Sequence, residues 1–223
     1  MTKISLETSA PYYVQFYHMI KEMIFEGKYQ PGERVNETHL AKEYKVSKSP
    51  IREAIRILEK EGLLVVDRAK VVVYQPTLKD VRDIYYCRMA LESFAVKLTT
   101  KIATDMELKE IKNTLKETET AIQLQKEPNE IILLNEKFHQ LILTYSQNIR
   151  LQKQVNDLKS LINYFRTLNF KGELRGKEIL KQHQKIFRFM EQRDAETASS
   201  EMIRHLEMDV NHLIDILHEE KID

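Results

Sequence analysis

Three histidines, one arginine and the start of one basic helix are the residues that could do chemistry in this 223-residue chain. His139 shares a helical stripe with Ile132, Asn135 and Ile142; His183 shares one with Ile179, Ile186 and Met190; His205 follows Met202 and precedes Leu206 and Leu213. A lone histidine on such a stripe is ordinarily a hydrogen-bonded core residue. Three of them on three helices of one bundle can also converge on a divalent metal through their imidazoles. Arg88 interrupts a fourth stripe, Val81, Ile84, Leu91, Ala95 and Leu98. A buried arginine needs a partner, which is either Glu92, one turn on, or an anionic ligand. In the first third of the chain, Lys48, Ser49, Arg52 and Arg56 point away from the apolar Ile51, Ile55 and Leu58 of the same helix. A helix start offers unpaired N–H groups and the positive end of the dipole to phosphate, and basic side chains there can reach guanine O6 and N7 in a major groove. A solvated charged face is the alternative use of the same pattern.

The elements that must position these residues can be read from periodicity and from turn residues. Val14, Tyr17, Ile20 and Ile24 predict a helix over 12–25, ended by Gly27. Asn36 is a good N-cap for a second helix carrying Leu40, Ala41 and Tyr44, which breaks at Lys45-Val46. Ser47 caps a third helix, with Pro50 tolerated in its first turn and Gly62 at its end. Leu63–Val66 and Val71–Tyr74, separated by Asp67–Lys70, read as a hairpin. Three short helices and a hairpin are the layout of a winged helix-turn-helix. From Leu78 onward every segment is helical, with helices expected at 78–99, 105–125, 129–146, 148–166, 177–193 and 195–218 and a break spanning 169–176. The fold class is therefore mainly α, with a winged helix-turn-helix at 1–76 followed by an all-helical domain at 77–223.

Bulk composition excludes more than it selects. Apolar residues at 42% supply a core, charged residues at 31% are mixed in sign, and five glycines with five prolines are few for an all-β sandwich. Charges interrupt the apolar runs short of the ~20 residues that a membrane span needs, and the first residues lack a signal-peptide pattern, so a cytoplasmic protein is expected. Cys87 is the single cysteine, so no internal disulfide forms; a packing role is expected for it. The net charge is +1; the first 76 residues hold 12 basic against 10 acidic side chains, so the basic character is local to 42–56. Glu136 with His139 is one copy of a di-iron helix motif, and no second copy accompanies it.

The ordered matches Pro31-Gly32-Glu33-Arg34-Val35-Asn36-Glu37, Leu40-Ala41, Val46 to Ile55 and Leu58-Glu59-Lys60-Glu61-Gly62-Leu63 resemble the winged helix of the GntR family. The resemblance implies that Lys48, Ser49 and Arg52 contact DNA. Lys48 stands where the family commonly has Arg, and Arg56 on the same helix joins the expected contacts. The family's wing-tip Gly is missing near Ala69-Lys70, where Lys70 is expected to touch phosphate or the minor groove. Leu134 to His139, Asn148, Gln182-His183 and Met202 to Leu206 resemble the FCD effector domain of one GntR subfamily, as does Arg88-Met89-Ala90-Leu91-Glu92. That resemblance implies a metal held by Asn135, His139, His183 and His205, with zinc expected and nickel or manganese as alternatives. Asn135 replaces the usual Asp, which removes a charge from the ligand set.

The function expected from these readings is a homodimeric, metabolite-responsive regulator, a repressor on a double-stranded DNA operator. Arg88 would bind a small carboxylate effector beside the metal. No catalytic residues are assigned. Two alternatives stay open: a metal-dependent enzyme on a helical bundle, and a metal-free regulator that senses an apolar ligand.

Overall fold

A computed structural model describes residues 10–170 and 175–219 of the chain. The chain divides into two compact units, Met1–Pro76 and Thr77–Asp223. The first holds α1 (Tyr12–Phe25), α2 (Glu37–Tyr44), α3 (Lys48–Lys60), β1 (Leu64–Asp67) and β2 (Lys70–Val73). The second holds α4 (Leu78–Ile102), α5 (Asp105–Gln123), α6 (Pro128–Tyr145), α7 (Ile149–Asn169), α8 (Arg175–Glu191) and α9 (Ala195–Glu219). The break expected over 169–176 lies largely at 171–174, outside the described residues. None of the described helices is long and apolar enough to cross a membrane.

The first unit is a winged helix. Helix α1 packs on α3, with Phe16 and Ile20 of the one and Ile51, Ala54 and Leu58 of the other fully buried, and burying one such large aliphatic or aromatic side chain is worth about 1.5–3 kcal/mol. Asn36 caps α2 as expected, its Oδ1 accepting from the N–H groups of Thr38 and His39 at 3.0 and 3.2 Å. Lys45 ends α2 in the left-handed region at φ 56°. Ser47 takes the N-cap conformation of α3, but its side chain makes no capping hydrogen bond. The sequence placed the wing one residue off: β1 and β2 pair antiparallel with Asp67 opposite Lys70, so the turn is only Arg68-Ala69. Both residues have positive φ, 45° and 64°. A two-residue hairpin turn of this hand demands it, and without glycine each such residue costs about 1–2 kcal/mol. The segment before α2 runs along β2 as a third, irregular edge, with Val35 N–H donating to Val71 and Val73 N–H donating to Glu33.

The second unit is a six-helix bundle whose 25-residue helices α4 and α9 lie against each other along their length. Thr77 with Asp80 and Thr104 with Glu107 form reciprocal capping boxes that start α4 and α5. Several helix ends differ from the sequence reading by two or three residues. One matters: α7 continues to Asn169, so Arg166 lies inside the helix rather than at its end. Cys87 is exposed on α4 and has no packing role in this chain, a correction to the sequence reading.

Candidate DNA-reading helix and histidine centre

Helix α3 separates its two faces cleanly. Ile51, Ala54, Ile55 and Leu58 are buried, whereas Lys48, Ser49, Arg52 and Arg56 are exposed. Lys48, Arg52 and Arg56 follow one another at four-residue spacing and therefore line one strip of the helix. Lys70, also exposed, opens β2 at the wing. One contact was not foreseen: Glu37, the first residue of α2, holds Arg52 with both carboxylate oxygens, accepting from Nε at 2.9 Å and from Nη2 at 3.1 Å. The hydrogen bonds from Arg52 lead the causes that keep the Glu37 carboxyl below its ordinary range, and Lys48 adds a smaller pull. The Glu37 position was visible in the sequence, but the pairing spans fifteen residues and no local pattern reports it.

In the bundle the structure brings the three predicted histidines together. His139 comes from α6, His183 from α8 and His205 from α9; all three are buried, and each offers a nitrogen within 4.8 Å of the others. Nε2 of His183 and Nε2 of His205 face each other at 3.2 Å. Gln182 accepts from Nδ1 of His205 at 2.7 Å, which leaves the Nε2 lone pair of His205 directed at His183. Phe138 stacks on the His183 ring with centroids 4.0 Å apart. Nδ1 of His139 meets the Glu92 carboxylate at 2.6 Å, while its Nε2 is buried without a hydrogen-bond partner. Burial is the main cause that pushes all three imidazoles down from their ordinary value, His183 well below it and His205 to about 3. At neutral pH the cluster is therefore three neutral lone-pair donors.

Such a set fits a divalent metal. Tetrahedral ligation at about 2.0–2.1 Å puts neighbouring donors about 3.3 Å apart, close to the separation of His183 and His205. Asn135 sits one turn before His139 on α6, and its buried Oδ1 has no hydrogen-bond partner.

Around the histidines the core holds charges of both signs: buried Asp209 lies 3.7 Å from Nε2 of His205 and pairs with Arg175, and two further arginines are only partly satisfied. Arg88, 1% exposed, donates from Nε to Glu92 at 2.8 Å, yet Nη1 and Nη2 have no partner. The internal pair with Glu92 is the one of the two sequence readings of Arg88 that is seen here; its remaining donors are unused. The sequence reading missed Arg166 of α7, also buried, whose Nη1 donates to Asn163 at 2.8 Å and whose Nε is unsatisfied. Burial, reinforced by nearby Arg88, lowers the Arg166 guanidinium to about 10. Glu92 serves both arginines: burial opposes its charge, but Arg88, His139 and Arg166 together hold the carboxyl well below its usual range. Glu136, only partly exposed, lines the same side of the core: it pairs with Lys159 at 2.8 Å and also supports the charge of Arg166. A narrow pocket lined by Glu92, His139, Ile162, Arg166 and Met202 reaches this cluster. A buried charged donor left unsatisfied costs more than the ~1–3 kcal/mol of a neutral one, so the unused donors of Arg88 and Arg166 are the costly feature of this cluster.

Comparison with known proteins agrees with both halves. Residues 12–72 match the family model of bacterial regulatory proteins of the gntR family, and residues 83–208 match the FCD domain. An uncharacterised HTH-type transcriptional regulator of Bacillus subtilis, YdhC, is 43% identical over 99% of both chains. The gluconate operon transcriptional repressor of Bacillus subtilis is 27% identical over 74% of this chain and 67% of its own. Among solved structures, McbR/YncC of Escherichia coli superposes with a TM-score of 0.75 at 21% identity, covering 92% of this chain and 98% of that one. These relatives are transcription regulators rather than enzymes, which sets aside the enzyme alternative. The chain belongs to the GntR family of bacterial regulatory proteins, in the branch that carries an FCD domain, and is a DNA-binding transcription regulator.

Proposed function

We propose that the chain is a cytoplasmic, homodimeric repressor whose hold on its operator is controlled by a small carboxylate-bearing anion bound beside a metal in the bundle. The observation that carries this reading is the buried histidine cluster set among two arginines with unsatisfied donors, Arg88 and Arg166. That polar, charged surrounding also disfavours an apolar ligand. His139, His183 and His205 would hold the metal, zinc or a neighbouring divalent ion, with Asn135 as a neutral fourth ligand. A bound divalent cation would supply an electrophilic site for a carboxylate oxygen. Arg88 and Arg166 would take the remaining negative charge, and Gln182 and Phe138 keep the rings of His205 and His183 in place. Because Asn135 brings no charge, the effector must neutralise more of the site, which favours more than one acidic group.

Lys48, Ser49, Arg52 and Arg56 would enter the major groove, and Lys70 would meet the backbone beside it. Tyr86, Ala90 and Phe94 are exposed at four-residue spacing on α4, with Tyr86 63% and Phe94 48% accessible. This apolar strip supports α4 as part of a seam between two copies. Helix α4 also carries Arg88 and Glu92 and begins two residues after Pro76. An effector that binds one position of α4 better than another would shift the population of dimer geometries that match the half-site spacing. The gluconate repressor among the relatives supports repression as the sign of control.

The test is metal analysis of protein purified without chelator, followed by operator binding against mono-, di- and tricarboxylates. The operator is first obtained by selection from random duplexes. About one metal per chain and a carboxylate effect within the ~5–150-fold range of ordinary coupling are expected. Metal far below one equivalent that zinc does not restore, or operator affinity indifferent to every carboxylate, would overturn the reading.

A further inference from the structure

The Glu37–Arg52 pair has a geometry that matters for base reading. Glu37 occupies the side edge of the guanidinium, Nε with Nη2. A guanidinium has five N–H donors in a rigid plane. With that edge held, one N–H of Nη1 and the outward N–H of Nη2 remain side by side as the terminal edge, while the second N–H of Nη1 points back along the side chain. Glu37 is the first residue of α2, behind the Asn36 cap, so its carboxylate is anchored by a helix start rather than by a loop. Its side chain is 32% exposed and that of Arg52 is 56% exposed, so the far side of the guanidinium is open. Lys48, one turn earlier on α3, feels the same carboxylate.

We infer that Glu37 is a positioning residue for sequence recognition: it clamps Arg52 so that the terminal edge of the guanidinium presents two parallel donors to O6 and N7 of a guanine. The inference rests on the reading that Arg52 contacts DNA. An unclamped arginine swings between bases and phosphates; phosphate contact strengthens binding without reading sequence. A negative charge beside Arg52 and Lys48 weakens that phosphate attraction while leaving the bidentate guanine contact intact. Glu37 thereby trades general affinity for discrimination.

The experiment selects duplexes from a random library with the full-length wild-type protein and with Arg52→Ala, Glu37→Gln and Glu37→Ala, and compares base preferences position by position. The wild type is expected to prefer guanine at one position per half-site by about tenfold or more, the discrimination typical of a good bidentate contact. Arg52→Ala loses preference at that position. Both Glu37 variants keep the other positions but reduce this preference to a few-fold. They also bind a fixed scrambled duplex more tightly, with the salt slope steeper by about one contact. Thermal melts of each variant monitor folding. Glu37 variants that melt earlier yet retain the full guanine preference overturn the positioning role and leave only a surface ion pair. An Arg52→Ala protein with unchanged preferences overturns the contact assignment itself, a different failure from the first.

Discussion

Two of the arginine–glutamate pairs in this molecule have opposite physics. Arg52–Glu37 lies on the surface of the winged helix, and Arg88–Glu92 lies inside the bundle. The surface pair is solvated and screened, so it adds little to stability and the arginine can leave its partner for a better acceptor at small cost. The inner pair has lost its water. Each charge there depends on the other, and the unsatisfied donors of Arg88 can be met only by something that enters the core. The first unit thus carries its candidate DNA-reading residues on the outside of an apolar core, whereas the second holds its histidine and arginine cluster within one. The same residue pair is loosely held at a solvated surface and mutually dependent in a dry core, because the dielectric surroundings differ.

The same substitution in the two pairs should have very different effects. Glu92→Gln removes the carboxylate between two buried guanidinium groups and should cost about 3–5 kcal/mol in chemical denaturation. Glu37→Gln should leave the denaturation midpoint nearly unchanged. Equal effects would erase the distinction between the two pairs.

Acid should separate the units next. The three buried imidazoles have folded-state pKa values below that of an unfolded histidine, near 6.5. Below that value the unfolded chain binds more protons than the folded one, so stability falls as pH falls. In chelator-treated protein the bundle should weaken from about pH 6.5 downward toward about 3, the value to which His205 is lowered. The limiting slope is about 1.4 kcal/mol per pH unit for each proton taken up. Denaturation followed across pH 5–7.5 measures it, and a flat profile would mean that the cluster is already hydrated or opened.

Asn135→Asp tests how the inner site balances charge. Restoring a carboxylate to the ligand set should raise zinc affinity about 10–100-fold by competition titration, and the more negative site should weaken the response to polycarboxylates. Unchanged zinc affinity would remove Asn135 from the ligand set. The smallest effect belongs to the wing. Ala69→Gly relieves one left-handed residue and should stabilise the first unit by about 0.5–1 kcal/mol, seen as a higher melting midpoint with the bundle unaffected.

Much of the fold was legible because local rules and packing agree. The cap Asn36 and the stripe of Ile51, Ile55 and Leu58 each name an element without reference to the rest of the chain. Histidine spacing was legible too, since a polar residue on an apolar stripe stands out. Arg166 did not stand out, because it fell at the expected end of α7, where an arginine suits the dipole. Three further residues of helix placed it in the core instead.

By itself, the sequence determined the apolar stripes of the helices, where most of the chain turns, and that a basic helix precedes a histidine-bearing bundle. These follow from periodicities of a few residues and from side chains acting on their own backbone. Only the tertiary structure decided that His139, His183 and His205 meet, that Arg166 joins Arg88 over one carboxylate, and that Glu37 grips Arg52. Those facts depend on how separate helices approach one another, and sequence spacing carries no measure of that distance.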